Sequence, residues 1–238
     1  MRTFLIGGGR DSVAAHEAFV RAAGGPVVAF ALDEGWAETL AALAVPLTRL
    51  VVVSPERPPV PADLDGAAGV YVAGGLTPRY RDTLVDAGTG WLDAARDAGL
   101  VYGGYSAGAA IAPVRALVGG WRAGYRGRDV QVCHEDCAED LDPVTVAPGL
   151  DLVPFLVEVH AAQWGTLHRL VYALHTAGVD EGWAVDEGTA LEVRDGTTTV
   201  HGTGAATRVR RVGDRVELTI HVDSEATGDG IRSPDGTG

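Results

Sequence analysis

A chain of 238 residues with 46% hydrophobic content is long enough to bury one full core, and two cysteines, Cys133 and Cys137, are too few for a disulfide framework. With 32 acidic against 19 basic residues the formal charge is −13, and the absence of a clustered Lys/Arg face argues against nucleic acid as a partner. No run approaches the roughly 18 uncharged apolar residues of a membrane span, and a Gly-rich loop follows the first six residues, too early for a signal peptide, so no membrane partner and a cytoplasmic location are expected.

Apolar runs alternate with helical patterns along the first two-thirds. Strands are predicted at 3–6, 27–32 and 50–53, with helices at 12–23 and 36–44 between them. These strands are apolar throughout, as expected where helices cover both faces of a parallel sheet. Pro55, Pro58, Pro59 and Pro61 interrupt the pattern before a strand at 69–72, a loop at Gly74-Gly75 and a helix at 80–97. A short strand at 100–102 leads into the segment around Ser106. Residues 118–146 read as loop with short pieces of structure, followed by a strand at 152–159 and a helix at 166–176.

From residue 189 the period changes to two. Strands at 189–193, 197–201, 206–212 and 215–221, with turn signals at Asp195-Gly196 and Gly213-Asp214, predict a closing β-meander. The expected organisation is one α/β/α domain over residues 1–223, with a mostly parallel sheet, and a disordered Gly/Ser/Asp-rich tail over 224–238.

The chemistry centres on Gly104-Tyr105-Ser106-Ala107-Gly108, which places a serine between glycines after an apolar strand and before a helix-forming run. That is the pattern of a nucleophile elbow, in which a sharp strand-to-helix turn presents Oγ and leaves no room for side chains at the flanking glycines. Such a serine needs a base, a group that orients the base, and donors for an oxyanion. His160 ends a predicted parallel strand, the edge where such sheets carry their sites. Two acids compete to orient it. Glu187 follows a short apolar strand, whereas Glu158 lies two residues before His160 and so on the same strand face. Gly74-Gly75 allows close backbone approach, and Ala107 follows the serine, so a backbone N–H of that glycine pair and the N–H of Ala107 are the expected oxyanion donors.

Two weaker motifs stand beside these. Gly7-Gly8-Gly9 fits a dinucleotide fingerprint only in part, since its third glycine would fall at Ser12. Cys133-His134-Glu135-Asp136-Cys137 lacks a second pair at zinc-site spacing, and no metal or other cofactor is expected.

The order Tyr71-Val72-Ala73-Gly74-Gly75, the Ser106 elbow, Glu158-Val159-His160 with Gln163, Gly165, Arg169 and Leu170, then Val185-Asp186-Glu187-Gly188-Thr189 resembles the serine peptidase family of dipeptidase E and cyanophycinase. The resemblance spans nearly the whole chain and implies the three-layer α/β/α fold of the class I glutamine amidotransferase-like superfamily. It implies Ser106 as nucleophile, His160 as base and Glu187 as third member, with Gly75 and Ala107 as oxyanion donors, small peptides as substrate and no cofactor. The base segment implies substrate contacts from Gln163, Trp164, Thr166 and Arg169. Trp164 and Thr166 stand where cyanophycinase-like members resemble two arginines, so a neutral or apolar preference is expected in place of an acidic one. A non-catalytic binding scaffold and a serine esterase remain as alternatives, and a homodimer is left open. Chain order disfavours the esterase, because there the acid precedes the histidine.

Overall fold

The uncharged runs of the first hundred residues become the parallel heart of one sheet because their side chains are covered on both faces. In the computed structural model, which describes residues 1–224, β1 (Thr3–Ile6), β2 (Val27–Ala31), β3 (Leu47–Val52), β4 (Gly69–Val72) and β5 (Val101–Tyr105) run parallel. Between them lie α1 (Val13–Ala23), α2 (Trp36–Ala42), α3 (Thr77–Arg81) and α4 (Gly90–Asp97). Every residue of β1, β2 and β4 is buried, whereas the edge strand β3 exposes Thr48 and Arg49.

Consecutive residues of β5 show how the helices are layered. A Cβ on Gly103 would meet the Phe19 ring of α1, and one on Gly104 would meet the Gly108 backbone of α5 (Ala107–Ala110). Neighbouring strand residues point to opposite faces, so α1 and α5 cover opposite sides of the sheet. This is an α/β architecture with a mostly parallel central sheet, as expected.

The central third contributes β6 (Arg115–Gly119), β7 (Arg122–Tyr125), β8 (Arg128–Gln131) and β9 (Thr145–Pro148), paired as two ribbons, β6 with β9 and β7 with β8. Next come β10 (Leu156–Val159), α6 (Ala161–Trp164), α7 (Leu167–Ala177) and β11 (Glu181–Val185). The last strands are β12 (Thr189–Arg194), β13 (Thr197–Gly202), β14 (Ala205–Val212) and β15 (Arg215–Val222).

Three expectations are corrected. The closing strands are not one meander: β12 joins the central sheet antiparallel to β1 and β13 pairs antiparallel with β12, giving the order β13-β12-β1-β5-β4-β2-β3, while β14 and β15 join β10 and β11 in a second sheet. Each hairpin forms where its turn residues indicate, but local pattern carries no information about which sheet receives it. The helix expected at 80–97 breaks at Gly88-Thr89-Gly90, where each glycine costs a helix about 1 kcal/mol. The strand expected at 152–159 begins only at Leu156, beyond Pro154, which lacks the N–H that a ladder needs. The expected tail, from residue 225 on, lies outside the described residues. Among the described residues no helix is long and apolar enough to cross a membrane.

The two sheets meet at their carboxyl ends. Ser106 N donates to Ile6 O, His160 N donates to Gly7 O and Gly188 N donates to Gly8 O, each at 2.9 Å, so the segments that follow β5, β10 and β11 are tied to the end of β1 and the loop after it.

Candidate active site

Ser106 caps α5 in a conformation with φ 50° and ψ −109°, a left-handed backbone costing about 1–3 kcal/mol for a non-glycine residue. The turn closes so tightly that a Cβ at Gly108 would lie 2.2 Å from Val72 O. Gly108 N donates to Ala73 O at 3.1 Å, and Ser106 O accepts from Ala109 N and Ala110 N at 2.9 Å each.

The serine is 8% exposed, and its Oγ lies 2.9 Å from Nε2 of His160. On the other side of the ring, Nδ1 of His160 lies 2.7 Å from Oε1 of Glu187. With Nδ1–H donating to the carboxylate, Nε2 is left to accept from the serine hydroxyl. Burial holds the His160 pKa below the ordinary histidine value, outweighing the bond to Glu187 and its charge, which act upward. Burial therefore favours the neutral ring.

His160 itself has φ 52°, so the chain leaves the strand conformation there and the two-residue alternation ends. That is why Glu158 does not share a face with His160 in the way the spacing suggests. Glu158 is 2% exposed and forms two 2.7 Å bonds with Arg169, from Nε to Oε2 and from Nη2 to Oε1. Of the two acids, Glu187 is the one brought to the imidazole.

Glu187 is positioned by α6. Gln163 Oε1 accepts from Glu187 N at 2.9 Å, and Ala162 N donates to Asp186 Oδ1 at 3.0 Å, clamping the turn to the helix that follows His160. The Gly-rich loop after β1 closes over the same groups. A Cβ on Gly8 would lie 2.1 Å from Cε1 of His160, so this loop is filled by the imidazole and its acid, and the dinucleotide reading loses its space.

Gly75 and Ala107 both flank the serine. Ala107 is the first residue of α5, so its N–H has no intrahelical acceptor. Tyr80 OH donates to Gly74 O at 3.0 Å. In a planar trans peptide the N–H points opposite to the C=O, so Tyr80 aims the Gly75 N–H away from itself. Nothing in the sequence pattern singled out Tyr80.

The serine opens into a cleft of about 910 Å³ that also holds His160, Gly74, Gly75 and Trp164. Trp164 stacks on His160 with ring centroids 4.1 Å apart and planes 7° apart. A second recess of about 540 Å³ reaches His160 and Glu187 from the side of Arg10.

Two expected substrate contacts are corrected. Thr166 is fully buried with its hydroxyl toward Val159 O, and Arg169 is 3% exposed and spent on Glu158 and the carbonyls of Gly120 and Cys137. Gln163 is exposed, with its Oε1 accepting from Glu187 N. The left-handed turn at His160 rotates the residues after it, which sequence spacing could not show. Cys133 and Cys137 bond to carbonyls of Gly120 and Trp164, and burial pushes both thiols up. Sequence reasoning also missed the acidic loop across the cleft, 135–142, whose charge run was visible but whose placement depends on distant pairing.

No protein-family model matches the sequence, and no curated protein matches it. Solved structures do match in fold. One is a peptidase from an acI-B1 Actinobacterium, 15% identical with a TM-score of 0.63, covering 94% of both chains. Another is a protein provisionally named Peptidase E from Listeria monocytogenes EGD-e, 19% identical with a TM-score of 0.56, covering 85% of this chain and 98% of that one. The chain therefore has the peptidase E type of fold.

Proposed function

We propose that the protein is a serine hydrolase that cleaves short peptides through an acyl-enzyme. The observation that carries this reading is the hydrogen-bonded chain from Ser106 Oγ through both nitrogens of His160 to Glu187, at 2.9 and 2.7 Å, at the floor of an open cleft. The likeness in fold to structures described as peptidases supports the substrate class.

In this reading Ser106 Oγ attacks the scissile carbonyl carbon while His160 Nε2 takes the hydroxyl proton. Glu187 holds the resulting imidazolium, and the N–H groups of Gly75 and Ala107 face the oxyanion. The C–N bond then breaks as His160 gives its proton to the leaving nitrogen. Water attacks the Ser106 ester, passes a proton to His160 and releases the acid, and the proton returns to Oγ. Nothing in this sequence of steps requires a cofactor.

The test is turnover of a short-peptide panel by the purified chain and by Ser106→Ala. Loss of about 10⁶-fold in kcat is expected, the size seen when one member of such a unit is removed. A Ser106→Ala protein that keeps most of its activity overturns the reading.

A further inference from the structure

The cleft over Ser106 is lined by six carboxylate residues, Asp33, Glu135, Asp136, Glu139, Asp140 and Asp142, and by no Arg or Lys. Some of these acids have local partners: Asp33 accepts from Gly35 N, Glu139 from Thr77 N, Asp142 from Trp121 Nε1, and Asp136 lies 3.2 Å from His134 Nδ1. Of these partners only the last can carry a positive charge, a histidine on the exposed rim, while from outside the lining Arg122 acts on Asp142 and Arg169 on Glu139. Five of the six occupy exposed positions, while burial pushes the half-buried Glu139 carboxyl up. The wall is therefore strongly anionic, and it faces the atoms that would do the chemistry.

The loop carrying most of these acids is fixed in place. Gly120 N donates to Ala138 O at 2.8 Å and Trp121 N to Asp142 O at 3.0 Å. From beneath, Arg169 bonds the carbonyls of Gly120 and Cys137 while Glu158 neutralises it. A buried ion pair thus serves as a strut that projects the acids over the cleft.

The carboxylates do not converge as metal ligands would, since among the described residues no group of three His, Cys, Asp or Glu could hold a metal ion. A spread wall suits an extended organic cation better than a point charge. Indoles of Trp36, Trp121 and Trp164 share the cleft, and the guanidinium of Arg122 already rests 4.9 Å from the Trp121 ring centroid, an internal example of such pairing.

We infer that the cleft selects peptides carrying a positively charged lysyl or arginyl side chain beside the scissile bond, with Asp33, Glu135 and Asp140 as specificity residues. This deepens the hydrolase reading and rests on it. It also departs from the neutral preference expected from the residues at 164 and 166, because Thr166 does not reach the cleft.

The test is kcat/KM for dipeptides with Arg, Lys, Leu or Asp at the N-terminal position, with fluorophosphonate labelling run in parallel. Basic substrates are expected to exceed leucyl ones by roughly tenfold and aspartyl ones by more, through KM, with the gap closing as salt rises from about 0.01 to 1 M. Exposed Asp140→Asn and Glu135→Gln should each narrow the Arg/Leu ratio by roughly two- to threefold, and together close most of the gap. An N-acetylated arginyl substrate is expected to keep its advantage over the N-acetylated leucyl one, because the free α-amine is common to both dipeptides. Labelling without basic preference, or an unchanged ratio in both single variants, overturns the inference while leaving the hydrolase reading intact. Absence of labelling overturns the hydrolase reading. Calorimetric binding of Arg-Leu in preference to Asp-Leu then still supports cation selection, and equal or reversed binding overturns it.

Discussion

The imidazole of His160 lies flat on the indole of Trp164, ring centroids 4.1 Å apart and planes 7° apart. In the proposed reaction this ring becomes an imidazolium in the transition state, and a cation over an indole face gains about 0.5–2 kcal/mol. The stack therefore favours the charged state that forms during bond cleavage.

Trp164→Ala is expected to lower kcat by roughly 3- to 30-fold with little change in KM for neutral substrates, the range that corresponds to that energy. Trp164→Phe should recover part of the loss. Steady-state kinetics on the three proteins check both effects.

Glu187→Gln and Glu158→Gln should separate chemistry from architecture. The first removes the acceptor 2.7 Å from His160 Nδ1 and is expected to cost roughly 10³–10⁴-fold in kcat with a small change in Tm. The second strands a buried Arg169 and is expected to cost about 3–5 kcal/mol, a Tm decrease of roughly 6–20 °C. Thermal melts beside kinetics on both variants test the assignment.

Gly8→Ala is expected to lower turnover by about 10²-fold without unfolding the protein. The added methyl would sit 2.1 Å from Cε1 of His160, and displacing a reacting group by about 1 Å costs on the order of 10²-fold. Circular dichroism and single-turnover rates distinguish this from misfolding.

His16 gives the fold a pH dependence of its own. It is fully buried, with its ring nitrogens 2.7 Å from Ser12 O and 2.8 Å from Tyr71 OH, and burial lowers its pKa from 6.5 to about 4 against the opposing bond to Ser12. The unfolded chain binds this proton first as pH falls. Stability is thus fully present above about pH 6.5 and is lost progressively down to about pH 4, by about 3 kcal/mol. Denaturant titrations of the wild type and His16→Gln across that window should show a steeper loss in the wild type.

Much of the site was legible because its parts sit at strand ends. Continuous apolar runs located β1 and β4 to the residue, and the glycine spacing around Ser106 reflects a turn that admits no side chain at Gly108. His160 and Glu187 were placed by the same logic. What was not legible depends on contacts between distant segments. The hairpins of β12–β13 and β14–β15 have equivalent local patterns, yet they enter different sheets. Arg169 sits in the segment that carries the base and so reads as a substrate contact, but its side chain turns inward to Glu158, and the acidic wall of the cleft comes from a loop held by that pair.

The most direct measurement is intact-mass and peptide-mapping analysis after exposure to a fluorophosphonate at neutral pH. One adduct per chain is expected, mapped to Ser106, lost in Ser106→Ala and strongly slowed in His160→Ala, where no base remains 2.9 Å from Oγ. An unlabelled wild-type chain, or an adduct on another residue that survives in Ser106→Ala, would contradict the assignment of Ser106 as the nucleophile.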